Sequence, residues 1–346
     1  MVDTDGAADP LPPVERVRPG LWTVPVPLPS SSLRYVFVYV FETDGGAYLV
    51  DAGWNTDEAY AALEAGLGVA GYEVGDVRGV MVTHIHPDHY GLAGRVRQAS
   101  GAWIALHPAD AALIRDRYTE PADLLDRVGA MLRRTGAPPE EIATLRAAAM
   151  PVRPFVDPVL PDVLLEDGAR PEVPGWDLSA IWTPGHSPGH LCFWEPAHEV
   201  LLTGDHVLPR ITPNISFHPQ AGADPLGDFL RALDKLEPYE PTEVLPAHEH
   251  RFVGLHRRLD ELRRHHEERF REVLVAVRAG DTTAWAVARR MVWSRPWDRI
   301  EGFMRRAAVG EALAHLRALE ERGVLREEPG EPAHWRLTDR AAELAG

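Results

Sequence analysis

Short apolar runs alternate with amphipathic stretches between residues 21 and 252. Residues 47–50 and 243–245 have the length and the apolar content of buried strands, whereas residues 56–67 show the apolar spacing of an amphipathic helix. Residues 35–42 alternate in the manner of a strand that has one exposed face. Strands and helices that follow one another in this way, with turns between them, predict an α/β or α+β sandwich.

The pattern changes at residues 107–150, which are rich in Ala, Leu and Arg and are interrupted at Pro121 and at Pro138-Pro139. This composition predicts an inserted group of helices. Because the insertion lies between two segments that contain candidate ligands, we expect it to cover the site and to shape a substrate pocket. A layer of helices with a purely structural role is the alternative.

Residues 253–346 show a third pattern of apolar positions. Helical periodicity ends at Gly323 and is followed by two short strands around the turn sequence EEPGE. This order predicts a small winged-helix-like domain, with helices at residues 255–277, 282–292 and 303–322 and strands at residues 324–325 and 335–337.

The chain has 346 residues, of which 45% are hydrophobic, and this length exceeds what one core usually supports. We therefore expect a large domain at residues 21–252 and a small one at residues 253–346. Residues 1–20 are acidic and Pro-rich, which predicts a flexible lead and not a signal peptide. Because no apolar run approaches membrane-spanning length, we expect a cytoplasmic protein without membrane contact. The single cysteine, Cys192, excludes a cysteine-based zinc site, so any metal must bind to His and carboxylate groups.

The net charge of −16 is distributed unevenly along the chain. The residues after Phe252 contain 18 Lys and Arg and 16 Asp and Glu, which leaves a net charge of −18 on the first 252 residues. An acidic domain disfavours a groove for a phosphate backbone. In the tail, Glu311, Glu320 and Glu321 offset the arginines of the last helix, so packing or homodimerisation is preferred to contact with nucleic acid.

The sequence VTHIHPDHYGLAG at residues 82–94 contains three histidines and an aspartate within six residues. An apolar, β-branched run precedes it, and Pro87 suits the first turn of a helix, so these side chains lie where a strand ends and a helix begins. His84 and His86 are two residues apart in an extended segment and point the same way, whereas Asp88 and His89 face a second point. This spacing favours two metal ions over one. A polar turn that is merely rich in histidine is the alternative.

Three later strand ends also have a side chain of a ligand type. His186 lies in TPGHSPGH, Asp205 in GDH and His248 in PAHEH. His186 is the natural third histidine for an ion that His84 and His86 bind, and the two oxygens of Asp205 can bridge two cations. His248 completes the set.

Asp51 also follows an apolar run, and we expect its carboxylate to orient a ligand histidine. A capping or turn aspartate is the alternative at this position. The remaining histidines that stand near motifs or alone are interpreted as structural or as bystanders: His107, His190, His198, His250 and His256.

This set of residues resembles the metallo-β-lactamase superfamily through the order Asp51, His84-x-His86-x-Asp88-His89, His186, Asp205 and His248. The resemblance covers about residues 20–252 and implies an α+β fold, the αββα sandwich, with metals at one edge between two facing sheets. The tail resembles that of the lactamase-like branch, which includes a mitochondrial endoribonuclease and fungal polyketide thioesterases. The implied roles are one ion on His84, His86 and His186, a second on Asp88, His89 and His248, and a bridge formed by Asp205 and a water.

The resemblance implies a metal-dependent hydrolase that needs no protein nucleophile. We expect two Zn²⁺ ions from the histidine-rich set, although the carboxylates also tolerate iron or manganese. Two cations lower the pKa of a bridging water and polarise a carbonyl or phosphoryl oxygen, and we expect Asp88 to take up the proton of that water. Asp205 stands where one similar β-lactamase subgroup has cysteine, which disfavours that subgroup.

The segment after Asp205 indicates the substrate class. Residues 207–209 and 211–217 are largely apolar, and Arg210 is the one basic residue between them. Apolar walls favour an acyl group, so we expect a small-molecule thioester, ester or lactone, as in enzymes similar to glyoxalase II or to acyl thioesterases. The alternatives are cleavage of single-stranded RNA by the same fold, and a persulfide dioxygenase with one iron held by two His and an Asp.

Overall fold

The computed structural model describes residues 10–29, 33–148 and 153–343. Two sheets face each other, and helices cover the outer face of each sheet. Three hydrophobic clusters fill the three interfaces between these four layers. The predicted αββα sandwich of the α+β class is therefore confirmed.

The first sheet lies at the N-terminal side of the sandwich. It is formed, in spatial order, by β1 (Glu15–Arg18), β2 (Leu21–Pro27), β3 (Tyr35–Thr43), β4 (Gly46–Val50), β5 (Val77–Met81), β6 (Trp103–Leu106) and β7 (Val163–Leu164). Neighbouring strands are antiparallel from β1 to β4 and parallel from β4 to β7. The predicted flexible lead at residues 1–20 is wrong at Glu15–Arg18, because β1 pairs with β2 and buries Val17. Residues 1–9 lie outside the described residues.

The second sheet is formed by β8 (Ser179–Trp182), β9 (Leu191–Glu195), β10 (Val200–Gly204) and β11 (Glu243–Pro246), in the spatial order β11-β10-β9-β8. β9 is antiparallel to both of its neighbours, and β10 is parallel to β11. As a result, β8, β10 and β11 run in the same direction. Their carboxyl ends meet at one edge of the sandwich.

Side chains of β3 show why both faces of the first sheet are buried. Phe37, Tyr39 and Phe41 point towards the second sheet, whereas the valines between them face the outer helices. The prediction that residues 35–42 expose one face is therefore wrong, because helices cover the face that alternation alone assigned to solvent. A strand that is exposed on one face alternates apolar with polar side chains. A strand that is buried on both faces, such as β3, has apolar side chains throughout, and here large aromatic rings alternate with smaller valines.

The first helical layer consists of α1 (Asp57–Ala70), α2 (Pro87–Tyr90) and α3 (Ala93–Ser100). The hydroxyl of Thr56 accepts a hydrogen bond from the Ala59 amide at 3.1 Å and so caps α1. The insertion contains α4 (Pro108–Ala111), a π-helical turn (Arg115–Thr119), α5 (Ala122–Arg134) and α6 (Pro139–Ala147).

The second helical layer begins with α7 (Pro225–Leu236) and continues with α8 (Leu255–Arg278), α9 (Ala284–Arg290) and α10 (Gly302–Glu321). An antiparallel hairpin of β12 (Leu325–Glu328) and β13 (His334–Leu337) follows, and then α11 (Asp339–Glu343). Short 3-10 turns occur at Val74–Asp76, Arg153–Phe155 and Trp297–Arg299. Helices followed by a hairpin agree with the predicted order of elements, while the winged-helix-like assignment stays a prediction.

One hydrophobic cluster joins the insertion, the tail and the outer face of the second sheet. It contains Leu124 of α5 and Leu145 of α6 together with Phe270 of α8 and Leu316 of α10. The insertion and the tail therefore pack against each other as well as on the sandwich. None of the helices in the described part of the chain has both the length and the apolar content needed to cross a bilayer.

Candidate metal centre

The candidate ligands lie together at the edge of the sandwich where the carboxyl ends of the strands meet. His186 follows β8, Asp205 follows β10 and His248 follows β11, and these strands run in the same direction. Residues 84–89 follow β5 of the facing sheet and enter α2. Ligands from four separate strand ends therefore converge between the two sheets.

The first ligand cluster consists of His84, His86 and His186, whose ring nitrogens lie within 4.8 Å of one another. His84 Nε2 and His86 Nδ1 are 2.9 Å apart. The other ring nitrogen of His186, Nδ1, is 3.0 Å from the carbonyl of Asn214, to which it donates. This bond turns His186 Nε2 towards the other two histidines.

The second ligand cluster consists of Asp88, His89 and His248, with ligand-type atoms again within 4.8 Å of one another. Asp88 Oδ2 is 3.3 Å from His248 Nε2 and 3.6 Å from His89 Nε2. His248 donates from Nδ1 to the carbonyl of Tyr35 at 2.9 Å, which fixes its ring with Nε2 inward. His89 and His248 are fully buried.

Asp205 lies between the two clusters. Its Oδ2 is 3.4 Å from His186 Nε2, and its Oδ1 is 3.3 Å from His248 Nε2 and 3.6 Å from His89 Nε2. Each oxygen of one carboxylate therefore faces a different cluster. The preceding Gly204 has a φ of +49°. A Cβ there would lie 2.7 Å from Nε2 of His190, the atom that accepts a hydrogen bond from the Asp205 amide. A side chain at residue 204 would therefore collide with the ring that positions Asp205.

Asp51 supports the second cluster from behind. Its Oδ2 accepts a hydrogen bond from His89 Nδ1 at 2.8 Å, and its Oδ1 accepts from the Thr83 amide at 2.8 Å. Asp51 also has a φ of +65°, in the left-handed region that residues other than glycine uncommonly adopt. Asp51, which we expected to orient a ligand histidine, therefore contacts the candidate ligand His89.

Two further side chains support the centre, of which only His190 was singled out from the sequence, as a structural residue. The buried carboxylate of Asp110, in α4, accepts hydrogen bonds from the Ile85 amide at 2.9 Å, the Ser187 hydroxyl at 2.8 Å and the Gly189 amide at 2.7 Å. It thereby ties the loop of His84 and His86 to the loop of His186. His190, interpreted as structural, accepts from the Asp205 amide at 3.1 Å and so positions that residue.

The pKa values of His84, His86, Asp88 and Asp205 fit metal binding. Burial and the neighbouring imidazoles hold the pKa values of His84 and His86 well below the usual value. Burial alone would raise the pKa values of Asp88 and Asp205, but the adjacent histidines hold both well below the usual range. Neutral imidazoles and ionised carboxylates are the forms that bind cations. Burial alone would lower the pKa values of His89 and His248, but the neighbouring carboxylates raise both, so these two imidazoles must lose a proton before they can bind a cation.

Buried polar atoms that have no hydrogen-bond partner also indicate a metal site. Among the described residues, Nε2 of His89, His186 and His248 and Oδ1 of Asp205 are buried without a hydrogen-bond partner. Unpaired buried polar atoms are rare because each one costs free energy, and these all point into one small volume. Two clusters of this composition fit a dinuclear metal site.

The histidines interpreted as structural have partners elsewhere. His107 caps α4 by accepting from the Ala109 amide at 3.1 Å, and His198 Nδ1 is 2.8 Å from the Glu195 carboxylate. His256 Nε2 is 2.9 Å from the Glu237 carbonyl, and His250 is exposed.

The sequence profile described as "Metallo-beta-lactamase superfamily" matches residues 32–248, which is more than half of the chain. The chain belongs to the metallo-beta-lactamase superfamily. The solved structure of the metallo-beta-lactamase family protein TTHA1429 from Thermus thermophilus is 32% identical and covers 93% of this chain and all of its own, with a TM-score of 0.80. The similarity to that protein of the superfamily thus extends through the tail.

Curated relatives match less of the chain. The protein "Probable metallo-hydrolase YqjP" from Bacillus subtilis is 27% identical over 62% of this chain and 66% of its own length. The protein "Atrochrysone carboxyl ACP thioesterase AgnL7" from Paecilomyces divaricatus is 36% identical over 24% of each chain. This chain spans about a third to a half of the length of the lactamase-like fungal relatives that it matches. With the two ligand clusters, the family confirms the prediction of a metallo-hydrolase of this superfamily.

Proposed function

We propose that this protein hydrolyses a small-molecule thioester, ester or lactone with two bound Zn²⁺ ions. The observation on which the proposal rests is the Asp205 carboxylate, whose two oxygens face two separate ligand clusters. One ion would be held by His84, His86 and His186 and the other by Asp88, His89 and His248, with Asp205 shared. Two such ions supply an acidified water and an electrophile for the acyl carbonyl oxygen.

The chain's own residues hold this arrangement and manage the proton. Asp88 is half-buried and so remains open to substrate, whereas His89 and His248 beside it are fully buried. The pKa of Asp88, held low by these histidines against the effect of burial, keeps its carboxylate ionised. Because Asp88 is the carboxylate of this cluster that a substrate can reach, we assign to it the uptake of the proton that the attacking water releases.

The choice of an acyl substrate rests on relatives and on charge. AgnL7 is by its name a thioesterase, and the region it shares with this chain includes about a quarter of each. Arg210, the base nearest to Asp205 in sequence, pairs with Glu249 at 3.2 Å and is exposed, so it does not offer a free charge to a phosphodiester. Val207, Leu208 and Ile215 are buried in the core and cannot line a pocket. The apolar side chains that remain partly or fully exposed in this segment are Pro209, Ile211 and Phe217.

Metal content and a substrate panel test the proposal. Elemental analysis should find close to two ions per chain, and acyl-CoA, acyl-glutathione or lactone substrates should be hydrolysed faster than single-stranded RNA.

Asp88→Asn should lose most of the activity, while His250→Ala, a change of an exposed histidine near the site, should keep it. One tightly held iron with oxygen consumption would indicate a dioxygenase, and RNA cleavage that outpaces every carbonyl substrate would indicate a nuclease. Either result contradicts the proposal.

A further inference from the structure

A segment without regular secondary structure connects the candidate bridging carboxylate to the tail. Residues 205–224, all of which the structure describes, form neither a helix nor a strand. The segment begins at Asp205, and its Asn214 carbonyl accepts the hydrogen bond from His186 Nδ1 at 3.0 Å. We call residues 207–217 the orienting loop. Because its backbone groups lie outside helices and strands, other parts of the molecule must hold them.

Arg258 of α8 holds the first half of the orienting loop. Its buried guanidinium donates to three loop carbonyls, from Nε to Leu208 at 2.7 Å and from Nη2 to Arg210 at 3.1 Å and Ile211 at 2.8 Å. The remaining nitrogen, Nη1, donates to the Glu261 carboxylate at 3.0 Å. A planar fork of donors suits this task, since it reaches several acceptors from one fixed position.

The amides of the same half are bound by Glu249, the residue after the candidate ligand His248. Oε2 of Glu249 accepts hydrogen bonds from the amides of Arg210 and Ile211, each at 3.1 Å. Carbonyls and amides at this point of the loop are thus bound by two side chains, one from the tail and one from beside a candidate ligand. The loop cannot shift here without breaking several hydrogen bonds at once.

Helix α10 holds the second half of the orienting loop. The amide of Phe217 donates to the carbonyl of Gly310 at 2.9 Å, and the hydroxyl of Ser216 donates to the carbonyl of Ala307 at 3.2 Å. Ile215, which precedes these two loop residues, is fully buried. The three residues that follow Asn214 are therefore fixed, two by hydrogen bonds to α10 and one by packing.

Gly310 permits the close approach of α10 to the loop. A Cβ at residue 310 would lie 2.0 Å from Ser216 Oγ and 3.0 Å from the carbonyl oxygen of Phe217. Only a glycine therefore fits at this position of the helix without displacing the loop. The next residue, Glu311, contacts the loop as well, because its Oε2 accepts from Asn214 Nδ2 at 3.4 Å.

Resting on the proposed metal-dependent function, we propose that Arg258 and Gly310 are positioning residues of the first ligand cluster. Both hold the orienting loop, and the Asn214 carbonyl of that loop holds His186 with Nε2 towards the other two histidines. Each residue acts through the loop backbone and not by ligation. The tail is then a part of the metal centre and not an independent module beside it.

Metal titration tests the role of Arg258. Arg258→Lys keeps the charge but lacks the planar fork. When Co²⁺ is titrated into the metal-free protein and followed by visible absorption, the first ion should bind about 10–100-fold more weakly, as for other residues that orient ligands, and the second ion should be less affected. The first ion is the one whose absorption His186→Ala abolishes. Arg257→Lys is the matched control, because Arg257 precedes Arg258 in α8 and is exposed. Equal Co²⁺ affinities in Arg258→Lys and the unaltered protein would overturn the proposal.

A pair of compensating changes tests the role of Gly310. Gly310→Ala should weaken the same ion, because the added Cβ displaces the orienting loop from α10. Ser216→Ala removes the atom nearest to that Cβ, so the double variant should recover part of the Co²⁺ affinity. Such recovery would show that the loss passes through the contact between α10 and the loop. Gly68→Ala is the control, since a Cβ at this glycine of α1 would have no atom within 4 Å. A loss that Ser216→Ala does not relieve contradicts the proposal.

Hydrogen exchange of the metal-free protein separates this inference from the proposed function. In Arg258→Lys and Gly310→Ala, the amides of the orienting loop should exchange about tenfold faster, while those of β10 and β11 keep their rates. Normal binding of both ions in spite of faster exchange would overturn the positioning role and leave the proposed function intact. Faster exchange in a protein that binds no ions would reject the proposed function and retain the hold of the tail on the loop.

Discussion

Two regions of this protein that contain buried histidine side chains are the edge of the sandwich and the interface between α8 and α10. In the second region His266 Nδ1 and His315 Nε2 lie 3.2 Å apart, and His315 Nδ1 donates to the carbonyl of Glu311 at 2.8 Å. His266 Nε2 is buried without a partner, as are several ring nitrogens at the metal centre. Burial and an unpaired nitrogen are thus common to both regions.

The surroundings of the two regions differ. At the metal centre the carboxylates of Asp88 and Asp205 face the unpaired nitrogens. At the helix interface the His266 ring contacts Phe229 and the His315 ring contacts Phe270. Within the described residues, no group of three ligand-type atoms includes either of these two histidines. We therefore expect a buried histidine to ligate a metal where carboxylates and further imidazoles converge, and otherwise to pack as a neutral ring.

The comparison is tested most strongly by removing one histidine from each region. His186→Ala should lose one ion per chain and more than about 100-fold in activity, since even residues that only orient ligands typically contribute about 10–100-fold. His315→Gln should keep both ions. Elemental analysis of the two folded variants checks this, and loss of metal from His315→Gln would remove the distinction between the regions.

The shared carboxylate gives the next largest effect. Asp205→Ala should weaken both ion sites together, because it removes the anion that offsets the repulsion between two dications. Titration of metal into the metal-free variant measures both affinities. If one ion is lost while the other keeps its affinity, Asp205 does not bridge.

The two buried histidines at the interface between α8 and α10 should make the stability of the protein depend on pH. Burial lowers the pKa of His315 from its usual 6.5 to about 3, and the pKa of His266 also lies well below the usual value because of burial and His315. Between these pH values the unfolded chain binds more protons than the folded one, so stability is lost as pH falls below about 6.5 and the loss is complete near pH 3.

Urea unfolding of the metal-free protein at pH 7.5 and pH 5 measures this loss. His315→Gln should lose less stability between the two pH values than the unaltered chain, by about 1–2 kcal/mol from this one group. His250→Gln, in which an exposed histidine changes, is the control. An equal loss in all three proteins would show that His315 is already protonated in the folded state or is not buried.

The last prediction concerns Asp110, which supports the first cluster without ligating it. Asp110→Asn replaces one acceptor oxygen by a donor amide opposite the Ile85, Ser187 and Gly189 donors. The unsatisfied group should cost about 1–3 kcal/mol in stability and weaken the first ion site more than the second. Unfolding curves and metal titration check both parts. A larger loss at the second site would contradict this position for Asp110.

The amino-acid sequence by itself determined the family, the order of the sandwich elements and the set of candidate ligands. Each of these ligands follows a short apolar run, so the position of Asp51, His186, Asp205 or His248 at a strand end is encoded within a few residues. Parallel strand ends must meet at one edge, which is why local motifs sufficed to group these side chains.

The tertiary structure alone decided which further residues reach the centre. Asp110 stands in ordinary helical sequence, and what distinguishes it is its contact with Ser187, which is 77 positions away in sequence. The ordering of β1 within the expected lead likewise involves a distant segment, because Arg18 pairs with Glu243 of β11 at 2.9 Å. Long-range packing leaves no local periodicity, so these features could be found only once the chain had folded.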